Sequence, residues 1–181
     1  MVLLGKGAVG KTSLIFRYIK NDVPKEHDIT VEDTYTVNIE AKNGSHNEFK
    51  ILDTAGEEDY QNMLDQWINV ANGFLLVFAI NDLQTFTALN EKVTRLEKNG
   101  KQDLPKILVG NKCDLRDERA VSKQQAEEYA NSINAKYYET SALTDENGNV
   151  KVVFQECANM ILGVTSGNSK EESHCFKCSI F

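Results

Sequence analysis

The chain has 181 residues, 41% of them hydrophobic, and a formal net charge of −7. That length suits one domain with a real core, and the acidic balance excludes broad nucleic-acid binding, which needs a basic face. No apolar run approaches a membrane span, no secretory leader is visible, and Cys113, Cys157, Cys175 and Cys178 lack paired metal spacing, so a reduced, cytosolic chain is expected.

Met1–Leu4 is a short apolar run that reads as a strand. It enters Gly5-Lys6-Gly7-Ala8-Val9-Gly10-Lys11-Thr12, the G-x-x-x-x-G-K-[ST] pattern of a phosphate-binding loop. Glycines let the backbone curl so that successive N–H groups face phosphate oxygens. Lys11 adds a compact positive charge, and the Thr12 hydroxyl suits Mg²⁺. Leu14, Ile15, Tyr18 and Ile19 then recur at helical spacing, so the loop opens a helix N-terminus, where anions are favoured.

Thr36–Lys42 alternates, with Val37, Ile39 and Ala41 on one face, and predicts a half-buried strand. Asn43-Gly44 lies in its turn, and Phe49–Leu52 returns as the partner strand. Gly73–Ile80 and Lys106–Gly110 are continuously apolar, as expected of strands covered on both faces; Lys136–Thr140 is a weaker strand. Between them, Phe86, Leu89, Val93 and Leu96 form one helical stripe. Ser122 with Gln125 predicts a capping box ahead of Ala126, Tyr129, Ala130 and Ile133, and Val150, Phe154, Cys157 and Ile161 form the last stripe. The alternation predicts an α/β fold: a six-stranded, mostly parallel sheet with one antiparallel edge strand and helices on both faces. Residues 1–165 form the expected domain, and 166–181, polar and small, a flexible tail.

Three further segments narrow the ligand, each at a predicted strand end where open α/β sheets bind ligands. In Asp53-Thr54-Ala55-Gly56, the Asp can hold Mg²⁺ through water, and Gly56 lets a backbone N–H approach a terminal phosphate. In Asn111-Lys112-Cys113-Asp114, the last carboxylate can accept both the ring N–H and the exocyclic amine of guanine, a donor pair that adenine lacks. Ser141-Ala142 can supply a backbone N–H to the guanine oxygen. Taken singly, Asp53 reads more readily as a helix cap and Asp114 as a turn residue; it is their order along one sheet that carries the reading. Asp114 and the lack of a basic lid-like segment disfavour a P-loop ATPase or nucleotide kinase.

With these motifs the chain resembles the small GTPases of the Ras superfamily over nearly its whole length. Thr30-Val31-Glu32-Asp33-Thr34-Tyr35 looks like the effector segment of the Ras and Rap branch. Tyr60 to Gln66 is similar to the second switch segment, and Leu115 to Ser122 leaves no room for a Rho-type insert helix. The resemblance implies a P-loop NTPase fold and a GTP/GDP switch with slow hydrolysis. It implies phosphate contacts from Gly5, Gly7, Ala8, Val9, Gly10, Lys11, Thr12, Ser13, Thr30 and Gly56. Mg²⁺ falls to Thr12, Thr30 and Asp53; the base to Asn111, Lys112, Asp114, Leu115, Ser141, Ala142 and Leu143; catalysis to Glu57, Lys11 and Thr30. A monomer meeting an exchange factor, an activating protein and effectors is implied.

The chain departs from that pattern in several places. Glu57 stands where the family has a glutamine that orients the attacking water; an ionised Glu only accepts, so slow hydrolysis is expected, with a hydrolysis-deficient membrane adaptor as the alternative. Val23 and Leu143 replace an aromatic ring and a lysine near the base, which predicts fast nucleotide exchange. His27 and Ile29 replace a tyrosine and a proline, and the first strand starts at Met1. Cys178-Ser179-Ile180-Phe181 reads as a prenylation motif, with Cys175 a candidate for palmitoylation, and so predicts a lipid-anchored chain on the cytoplasmic face of the plasma membrane.

Overall fold

The computed structural model describes residues 1–23, 32–54, 56, 61–145 and 148–164. The strands are β1 (Val2–Leu4), β2 (Glu32–Glu40), β3 (His46–Thr54), β4 (Phe74–Ala79), β5 (Lys106–Asn111) and β6 (Lys136–Glu139). They form one sheet in the order β2-β3-β1-β4-β5-β6. Only β2–β3 is antiparallel, running from Glu32 opposite Thr54 to Glu40 opposite His46; the other pairs are parallel. The expected fold class therefore holds, including the antiparallel edge.

The helices are α1 (Lys11–Lys20), α2 (Gln61–Val70), α3 (Leu83–Thr87), α4 (Leu89–Lys98), α5 (Lys123–Ser132) and α6 (Asn149–Ile161). Parallel neighbours need crossovers, and these helices supply them on both faces of the sheet. Because side chains alternate across a strand, Leu3, Leu75, Val77, Ile107 and Val109 share a cluster with Leu14, Ile15, Val153 and Phe154. Their neighbours Leu4, Leu76, Phe78 and Leu108 join Leu64, Trp67, Leu89, Leu96 and Ala126 on the opposite face.

Several boundaries differ from the sequence reading. β2 starts four residues before the predicted Thr36, where its exposed residues are held by the backbone ladder, and stops at Glu40, so Ala41 and Lys42 fall outside it; β3 extends past Phe49–Leu52 at both ends, to exposed His46 and to buried Asp53 and Thr54. Gly44 makes the turn at φ +78°. The Phe86–Leu96 stripe runs over two successive helices, α3 and α4. Ile19, expected on the buried stripe of α1, is 40% exposed. Helix α2 was not predicted, although Leu64, Trp67, Ile68 and Ala71 are buried at helical spacing. The Ser122–Gln125 capping box is present in both directions.

Phe154 on α6 is buried and stacks on Tyr18 of α1 with ring centroids 4.4 Å apart. Through this contact α6 supports the helix that follows the phosphate-binding loop. Phe154→Ala should lower unfolding free energy by about 3–5 kcal/mol, the usual cost of emptying an aromatic site in a core. Urea denaturation checks this; a loss below about 1 kcal/mol would mean that the contact is dispensable.

Candidate nucleotide-binding site

The parallel strands bring their C-terminal ends to one edge, and the loops that leave β1, β3, β5 and β6 meet there. The first is Gly5–Gly10. Gly10 has φ +93°, and a Cβ on it would lie 2.4 Å from Asn111 Nδ2, so glycine is required twice over. No side chain caps α1, and its first turn holds no acidic residue. Helix geometry leaves the first N–H groups, from Lys11, Thr12 and Ser13, without intrahelical partners, which favours an anion.

Lys11 is 6% exposed, and its Nζ donates to the carbonyls of Gly5 and Lys6, each at 3.1 Å. Burial pushes its pKa down to about 8; Asp53 opposes the shift and Lys92 adds to it. The ammonium therefore spans its own loop, on the side where a ligand phosphate would meet it.

Asp53 at the end of β3 is fully buried. Thr12 Oγ1 donates to its Oδ2 at 2.6 Å, while Oδ1 is buried with no hydrogen-bond partner among the described residues. Burial raises the Asp53 pKa, against the Thr12 hydrogen bond and the Lys11 charge, and Asp33, directly across the strand pair, raises it further. An orphaned buried carboxylate oxygen beside a hydroxyl, facing a second carboxylate, is a donor set that suits a hard divalent cation. Thr54 ties the end of β3 to β1 by donating to Leu3 O at 2.7 Å. Just beyond it, Gly56 packs so closely on the loop that a Cβ there would lie 2.3 Å from Gly7 N.

Asn111 joins the two halves of the site. Its Nδ2 donates to Val9 O at 2.8 Å, and its Oδ1 accepts from Thr140 Oγ1 and Ala142 N, each at 3.2 Å. Oδ1 and one of the two Nδ2 hydrogens are thus used on protein, and the second Nδ2 hydrogen has no acceptor among the described residues. Lys112 follows with φ +63°, and the Cys113 N–H donates to Thr140 O at 3.0 Å, which brings the 112–114 segment against Ser141 and Ala142. The Leu115 N–H closes that turn on Lys112 O. Leu143 is exposed, while Val23 leans on the core rather than standing free.

Two side chains at the site were missed from the sequence. Arg17 on α1 donates to the carbonyls of Ala142, Leu143 and Asn21; nothing local in the sequence announces contacts spanning more than a hundred residues. Trp67 on α2, the chain's single tryptophan, donates through Nε1 to Glu32 Oε2 at 2.6 Å. Glu32 therefore already has an internal partner. Asp33 and Thr34 are exposed on the edge strand, and Tyr35 is half-buried against Phe16. Thr30, Val31, Glu57, Cys175 and Cys178 lie outside the described residues, as do Ala55, Tyr60, His27 and Ile29.

The Ras family model matches residues 1–163. Two curated relatives, both named Ras-related protein R-Ras, from Mus musculus and Rattus norvegicus, are each 40% identical over 143 residues. The match covers 78% of this chain and 65% of each relative, so the chain spans somewhat under two thirds of the relatives' length.

Asn111→Ala would leave the Val9 carbonyl and the Ala142 N–H without their side-chain partner. Thr140 Oγ1 loses its acceptor too; buried polar groups left unmatched cost about 1–3 kcal/mol each, so the variant should lose stability by at least about 2 kcal/mol even without nucleotide. Thermal unfolding of the nucleotide-free protein checks this. Unchanged stability with lost nucleotide affinity would instead make Asn111 a direct ligand.

Proposed function

This chain belongs to the Ras family, and from that we propose that it is a small GTPase, a GTP/GDP-dependent switch in membrane-associated signalling that hydrolyses GTP to GDP and phosphate. The observation that carries the proposal is the buried Asp53, with one oxygen on Thr12 and the other orphaned, beside the buried Lys11 of a phosphate-binding loop. Thr12, Asp53 and Thr30 would hold Mg²⁺. The ion, when bound, offsets phosphate charge and would satisfy the lone Asp53 oxygen. Lys11 and the N–H groups of Gly5–Ser13 would take the phosphates, with Gly56 reporting the last of them.

Asp114 would select guanine, since its carboxylate accepts two ring donors at once. Lys112, Leu115 and Ser141–Leu143 would enclose the base, and Asn111 would hold those segments in register. Glu57 would orient water without donating to the transferred group, so hydrolysis would be slow until an activating protein supplies positive charge. An exchange factor and effectors complete the cycle, the latter reading Thr30–Tyr35 in the GTP state. Tail residues 166–181 would attach the protein to the cytoplasmic face of a membrane through prenylated Cys178, with Cys175 as a second lipid site. The protein would work as a monomer.

Asp114→Asn tests the reading. An amide both donates and accepts, so the variant should lose GTP affinity by about 10- to 100-fold, as expected when a charged, two-donor contact is broken, and should gain preference for xanthine nucleotides. Single-turnover hydrolysis of GTP and of XTP by wild type and variant measures both. Unchanged GTP preference in the variant would overturn the base assignment, and no phosphate release by the wild type, with or without an activating protein, would overturn the GTPase.

A further inference from the structure

Arg17 projects from the middle of α1 and gathers three carbonyl oxygens. Its Nε donates to Ala142 O at 2.7 Å, one terminal nitrogen to Leu143 O at 2.6 Å and the other to Asn21 O at 2.8 Å. A guanidinium is a rigid planar fork, so one side chain can hold several acceptors in a set geometry, which a lysine, a point donor, cannot do. The Ala142 and Leu143 carbonyls follow β6, in the turn at the base end of the site. That turn is closed on its other side by Thr144 N–H to Ser141 Oγ at 3.1 Å and Asp145 N–H to Ser141 O at 2.9 Å.

In a trans peptide the C=O and the following N–H point in opposite directions. With the Ala142 carbonyl held by Arg17, the Leu143 N–H is turned away from α1. The Ala142 N–H faces Asn111 Oδ1 at 3.2 Å, immediately before the Lys112–Asp114 segment. Among the described residues no protein group accepts the Leu143 N–H. Leu143 itself is 63% exposed.

We infer that Arg17 is a positioning residue for base selection: by holding the Ala142 and Leu143 carbonyls it presents the Leu143 N–H to the base, where a ring oxo group can accept it and a ring amine cannot. The inference rests on the guanine reading above and adds to it the residue that sets the donor's direction. Arg17 touches no part of the nucleotide in this account. It acts through the turn, so its loss should be felt at one atom of the base rather than across the whole ligand.

The test compares GDP with 6-thio-GDP, which keeps the ring N–H and the exocyclic amine for Asp114 but replaces the oxo group by sulfur, a weak acceptor. Dissociation constants of the purified full chain are measured by displacing a fluorescent GDP analogue in Mg²⁺. The wild type should prefer GDP by about tenfold, the worth of one hydrogen bond. In Arg17→Gln, GDP should weaken by about tenfold, 6-thio-GDP should change little, and the preference should largely vanish. Arg17→Lys, which keeps the charge without the fork, should behave like Arg17→Gln. Equal weakening of both nucleotides would mean that Arg17 merely braces the fold, and wild-type preference in either variant would also overturn the inference. Failure of the wild type to bind GDP at all is a separate result, and it would overturn the guanine reading instead.

Discussion

The site depends on one buried side chain. Asn111 ends β5 and reaches back to Val9 in the phosphate-binding loop and forward to Thr140 and Ala142 after β6. An amide has separate donor and acceptor ends, and here each end is used on a different loop. Remove it and the distance between the phosphate end and the base end of the site loses its main brace. Gly10 is bound to the same constraint, since the Asn111 amide occupies the space a side chain there would need. A parallel sheet makes the arrangement possible by delivering the loops to one edge; Asn111 makes it rigid.

On this brace hang two opposite charges, both out of water. Lys11 is held by loop carbonyls and Asp53 by the Thr12 hydroxyl, and burial pushes the first pKa down to about 8 and the second up. Both shifts say that each charged form lacks full solvation in the protein alone. An anion at the loop and a cation at the Asp53 oxygen would each supply what is missing, so the two ligands would reinforce one another. Asp33, opposite Asp53 in the hairpin register, couples the edge strand to this electrostatic centre. The Trp67–Glu32 hydrogen bond couples the same strand to α2. The strand carrying the proposed effector residues is thereby tied both to Asp53 and to the helix beside it.

What could be read in the sequence was what local pattern encodes. The apolar runs of β4 and β5, the Ser122–Gln125 box and the glycine spacing of the phosphate-binding loop each carry their cause within a few residues, and each appears as expected. Helix α2 has the burial pattern of an amphipathic helix, but no capping residue or phosphate-binding glycine loop marks its start in the sequence. The extra length of the hairpin was invisible because exposed ladder residues show no hydrophobic alternation. Arg17 and Trp67 could not be found at all, because their roles arise from partners distant in sequence. The motif marks Asn111 beside the base, and its hydrogen bonds add a role the motif does not show, that of a brace between loops.

The most direct measurement is to purify the full chain in Mg²⁺, denature it and identify the released nucleotide by chromatography and mass. GDP or GTP in stoichiometric amount, with adenine nucleotides absent, is the predicted result. An adenine nucleotide, or an empty protein that neither GDP nor GTP stabilises against heat, would contradict it.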